Sequence, residues 1–170
     1  MNTMKRILFA AMILAAFPLL ARAEHADIVL KVFRIDPDTG VTRDESIAYS
    51  DQEPPAGGVK ARPLFKVKAN DQLVLQFILI NTYPHGVNKD VTVRYCVARR
   101  EKLKQKEVPD FRGDMVTKGQ FKLNFKPKTR VGARVAFTIP EPGIYMLRVD
   151  TLNTASDHEH FSAIDIQVEE

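Results

Sequence analysis

The sequence predicts an all-β domain, an immunoglobulin-like antiparallel β-sandwich of about eight strands preceded by a cleaved signal peptide. Three observations carry this reading. Short runs such as FKLNFK and VGARVAFTI alternate apolar and polar residues with the period of two that a half-buried strand requires. Clusters such as DPDTG, EPPAGG and PEPG, rich in residues that set turn dihedrals or lack an N–H, separate these runs at the spacing of a sandwich. No stretch carries the apolar stripe of an amphipathic helix.

Residues 1–23 have the form of an export signal: Lys5 and Arg6 precede the apolar run ILFAAMILAAFPLLA, and Ala21-Arg22-Ala23 supplies the small residues of a cleavage site. The run is short for a membrane span, and no cysteine follows it to take a lipid. Cleavage before Glu24 leaves residues 24–170 as one periplasmic or secreted domain, with no membrane span. Without Lys5, Arg6 and Arg22 the basic and acidic residues nearly balance, so the high pI belongs to the precursor and nucleic-acid binding loses its support.

The mature chain runs straight into IVLKVFRI, a strand by its β-branched content, turns at DPDTG and returns in a shorter polar strand around Ile47 to Tyr49. After a loop at residues 51–58, Phe65 and Val67 alternate with Lys66 and Lys68. LVLQFILI is apolar on both parities and reads as a central strand covered on both faces, the most protected part of the molecule. In VTVRYCVAR, Cys96 shares the less apolar face with Thr92 and Arg94; as the only cysteine it forms no intramolecular disulfide, and it reads as packed and inert.

Residues 99–106 have helix-forming composition but only Leu103 to bury, so no stable helix is expected. They open a stretch, residues 99–134, with twelve basic residues against four acidic, which reads as a solvated face or a surface for an acidic partner or lipid head groups. FKLNFK and VGARVAFTI follow. Then the PEPG turn leads to a strand with Tyr145, Leu147 and Val149 toward the core and Met146, Arg148 and Asp150 toward solvent. Tyr145, just after a glycine-containing turn, fits a tyrosine corner, whose hydroxyl bonds back to the preceding backbone.

The chemistry available lies in four histidines. His158 and His160 are two apart, which on a strand points both rings to one side and lets them share a metal ion. Asp157 and Glu159 are placed to ligate or to orient the rings. His25 is second after the cleavage site, where ring, amide and terminal amine chelate copper or nickel. His85, in Tyr83-Pro84-His85-Gly86, is a fourth candidate, at an end of the sandwich that residue patterns do not assign. No nucleophile elbow, phosphate loop or H-E-x-x-H is present, and no histidine closely follows Cys96 as a blue-copper site requires, so no enzymatic activity is expected.

The signal segment, the strand pattern, Gly143-Ile144-Tyr145 and the closing DHEHFSAI together resemble a bacterial periplasmic β-sandwich family, some of whose members accompany nickel and cobalt uptake systems. The resemblance implies an exported, metal-associated binding domain. The expectation is therefore a periplasmic binding module holding a transition metal, copper or nickel, through His158, His160, His25 and His85. The alternative is an interaction domain of a cell-envelope assembly, in which the basic stretch meets an envelope protein and no metal is held.

Overall fold

The computed structural model describes residues 26–49, 62–81, 87–153 and 160–170. The expected signal peptide and the loop at residues 51–58 lie outside them. Nine strands form two sheets, and no helix occurs among the described residues. The strands are β1 (Asp27–Ile35), β2 (Thr42–Tyr49), β3 (Leu64–Lys68), β4 (Gln72–Ile80), β5 (Asn88–Arg100), β6 (Thr117–Phe125), β7 (Arg130–Phe137), β8 (Gly143–Leu152) and β9 (His160–Glu169). One sheet has the order β2-β1-β4-β7 and the other β3-β9-β8-β5-β6. All ladders are antiparallel except β3 on β9, a parallel pair that strand alternation alone does not announce.

The core is made of the inward parity of each strand. Ile28, Leu30 and Val32 of β1 and Leu75, Phe77 and Leu79 of β4 face Val93 and Val97 of β5, Leu147 and Val149 of β8 and Ile164 and Ile166 of β9. Removing this apolar surface from water is the main force holding the sheets together. Phe77 bridges them toward the β6 side, with its ring centroid 6.1 Å from Tyr95 and 6.3 Å from Phe121. The turns follow from composition. Asp36 Oδ1 accepts from the backbone N–H groups of Asp38 and Thr39, closing the β1–β2 hairpin, and Gly40 adopts a φ of 69° there. The return strand β2 is longer than expected because its polar half also pairs with β1, Ser46 opposite Val32 and Glu45 opposite Phe33, and, past a shift of register, Thr42 opposite Ile35.

Tyr145 makes the tyrosine corner: its hydroxyl donates to the carbonyl of Glu141 at 2.9 Å. Two expectations need correction. β4 is only partly covered on its outer face, where Val74 is buried but Gln76, Ile78 and Ile80 are half-buried. Conversely, Met146, Arg148 and Asp150 do not face solvent; they are 1%, 5% and 4% exposed. Residues 101–116, which form no helix, run over the outer face of the larger sheet and cover them.

Candidate functional site

Strict alternation of strand direction decides where the histidine-bearing segments meet the fold. Asp27 pairs with Ile80, so the chain enters β1 beside the point where it leaves β4. Asn81, buried at the end of β4, donates through Nδ2 to the carbonyls of Phe125 and Lys126, both at 2.9 Å, and its backbone N–H reaches Thr129 O at 3.1 Å. Asn88, opening β5, pairs with Phe125. Thr92 lies opposite Leu152, and Thr151 opposite His160, so the exit of β8 and the start of β9 close the same end. Ala26, Asn81, Asn88, Asn153 and His160 therefore all stand at one end of the sandwich. His25 adjoins the first, His85 lies between the second and third, and His158 between the last two.

His25, His85 and His158 lie outside the described residues, as do Asp157 and Glu159. His160 is described: it opens β9 on the core-facing parity and is 6% exposed, at the rim of the core beside Thr151. Among the described residues no group of three or more His, Cys, Asp or Glu is arranged to hold a metal ion.

The outer face of the larger sheet carries a second polar constellation. Asp150 accepts from Arg94 Nε at 2.7 Å and Arg148 Nε at 3.1 Å, while the two guanidiniums lie over Phe111 and Phe161, 5.5 and 4.2 Å from the ring centroids. Asp165 accepts from Arg62 Nη1 at 2.8 Å and from the backbone N–H of Lys104 at 2.7 Å, and Arg62 also reaches Gln105 O. Each buried carboxylate has cationic and hydrogen-bonding partners, the arrangement of a structural network. Cys96 sits in this face, 3% exposed; burial, and then the Asp150 charge, push its thiol up to about 11, so it is protonated and inert at neutral pH.

No protein family matches the chain. No curated protein matches it either. Among solved structures, a family 123 glycoside hydrolase from Clostridium perfringens aligns at 12% identity and a TM-score of 0.43, over 63% of this chain and 23% of that one. The soluble domain of PmoD from Methylocystis sp. (Rockwell) aligns at 14% identity and a TM-score of 0.42, over 84% and 90%. A lytic polysaccharide monooxygenase from Jonesia denitrificans gives 15% identity and 0.35, over 63% and 58%. The chain thus spans about a quarter of the glycoside hydrolase. At these scores the likenesses add nothing to the all-β architecture already described.

The common end shared by Ala26, Asn81, Asn88, Asn153 and His160 is the feature that residue patterns passed over, yet a signal for it exists. Each histidine precedes or opens an odd-numbered strand, and in a sandwich whose strands alternate in direction all connections before odd-numbered strands return to one end. A count of about eight blurs that parity; nine strands restore it. The buried ion pairs had no such signal, because Arg148, Asp150 and Asp165 occupy the parity that alternation assigns to water.

Proposed function

We propose that this domain is an exported binding module that takes a late transition metal, copper or nickel, at the end of the sandwich where its histidine-bearing segments return. The residues that would hold the ion are His158 and His160, joined by His25 and His85. Neutral imidazole nitrogens suit these borderline metals, and a site gathered from three separate segments gains affinity from the rigid sheets that anchor them. The observation that carries the reading is the common end shared by Ala26, Asn81, Asn88, Asn153 and His160. His160, buried at that rim, supplies the one described imidazole. The reading requires no catalysis, and the segment before Glu24 supports a location outside the cytoplasm.

The test is calorimetric titration of the chain begun at Glu24 with copper and nickel. One tight site per chain is expected, weakened in His158→Ala and in His85→Ala, and abolished in His158→Ala with His160→Ala. Because His160 is buried, its removal costs stability, so the single variants at His158 and His85 carry the comparison and circular dichroism checks the double. Affinity should fall as pH drops below about 6.5, where imidazole takes a proton in place of the metal. No binding, or binding indifferent to His158 and His85, overturns the reading.

A further inference from the structure

β6 and β7 end their sheets on the same side of the sandwich, and each presents one edge that no strand among the described residues pairs with. From residue 117 to 137 the chain holds six basic residues, Lys118, Lys122, Lys126, Lys128, Arg130 and Arg134, and no acidic one. All six are exposed. Lys118 donates to the carbonyls of Phe111 and Gly113, whereas the other five make no ion pair among the described residues. Elsewhere the described arginines mostly meet carboxylates: Arg34 meets Asp44 and Asp71, Arg43 meets Asp36, and Arg99 meets Glu141. Lys68, Lys89, Lys102, Lys104, Lys106 and Arg112 likewise make no ion pair among the described residues, but on β6 and β7 the uncompensated cations share two strands that carry no carboxylate.

The inward residues here are also incompletely covered. Phe121 and Leu123 of β6 and Val131 and Val135 of β7 pack against the core yet stay half-buried. Asn81 caps the carbonyls of Phe125 and Lys126, which leaves residues 117–124 of the β6 edge open, room for a strand of ordinary length. A second copy of the chain fits poorly, because pairing two such edges brings lysine beside lysine. A lipid head group would answer the charges and leave the backbone edge and the apolar residues unmatched.

We infer that the β6 edge accepts an extended acidic segment of a partner protein as an added strand. The partner's backbone completes the ladder of β6. Its alternate apolar side chains fill the gap over Phe121 and Leu123 toward Val131 and Val135, and its carboxylates lie along Lys118, Lys122 and Lys126. Arg130 and Arg134 add to the positive field that draws the segment in. This is recognition by strand addition, with affinity from main-chain hydrogen bonds and selectivity from the alternating side chains. It is independent of the metal reading, since none of these residues is a histidine.

The probe is a fluorescent eight-residue peptide of alternating glutamate and valine, titrated into the chain begun at Glu24. Saturable binding is expected, with slowed hydrogen exchange confined to residues 118–124. Lys122→Glu should weaken it roughly tenfold, through repulsion in place of attraction. N-methylating alternate amides of the peptide should weaken it by at least about tenfold, because each blocked donor loses a ladder bond; this control leaves the protein untouched. Equal binding of the N-methylated peptide, or β6 exchange unchanged at saturation, overturns strand addition. So does binding only to vesicles of phosphatidylcholine and phosphatidylglycerol. Absence of any binding also overturns it and reduces the lysines to guards against edge-to-edge pairing.

Discussion

At the scale of single residues, two positions show how packing sets chemistry. A Cβ on Gly119 would overlap the Tyr95 hydroxyl oxygen and the ring carbon that bears it, and Gly119 pairs with Tyr95 across the β5–β6 ladder. The glycine is there for space. Gly119→Ala should destabilise by about 1–3 kcal/mol, the usual cost of forcing atoms into a packed site. In a Tyr95→Ala background the same change should cost far less, and a coupling below about 0.5 kcal/mol in urea denaturation would refute the contact. Cys96 tests burial from the other side. A thiol pushed up to about 11 from 9.0 leaves roughly a hundredfold less thiolate at pH 8, so the folded protein should resist alkylation and the denatured chain react quickly. The folded state holds this proton more tightly than the unfolded chain does. Its contribution to stability is therefore fully present below pH 9.0 and is lost as pH rises toward 11. Rapid native-state labelling at pH 8 would contradict the burial.

At the scale of elements, the connection at residues 101–116 forms no helix, as expected, but is held in a way its sequence does not announce. RREKLKQK favours a helix by composition, but Leu103 is 38% exposed and no apolar face exists to dock one. The connection is instead held through main-chain groups, Lys104 N on Asp165 and Gln105 O on Arg62, contacts that no side-chain pattern announces. Asp165 and Arg62 are 4% and 7% exposed in their side chains, so Asp165→Ala strands a guanidinium in the interior and should cost about 3–5 kcal/mol. Replacing both, Arg62→Met with Asp165→Leu, should recover most of that loss, because no charge is left buried. Limited trypsin digestion separates the two roles: cleavage after Lys102, Lys104 and Lys106 should rise in both variants, since each removes at least the Asp165 anchor of the connection. A double variant as unstable as Asp165→Ala, or cleavage unchanged in either, would show that the pair does not pin this segment.

At the scale of the whole molecule, the two sheets differ in what covers their outer faces, and this reverses the expected ranking of strand protection. The all-β class, the tyrosine corner and most strands were legible because each rests on local physics: alternation, turn dihedrals, or a ring beside a tight turn. Burial of the second face was not, because it depends on which segment crosses it. β4 looks doubly buried from LVLQFILI, yet on its outer face only Val74 is buried, and Gln76 and Ile78 are half-buried. β8 looks amphipathic, yet Met146, Leu147, Arg148 and Val149 are all at most 5% exposed, because charges on its outer parity are neutralised in pairs and roofed by residues 101–116. Hydrogen exchange should therefore be slowest in β8, at residues 146–149, with β4 exchanging roughly tenfold faster through openings that leave the larger sheet intact. Slowest exchange in β4 would mean that its outer face is also covered in solution, and that apolar parity, rather than the paired charges beneath the connection, marks the centre of this fold.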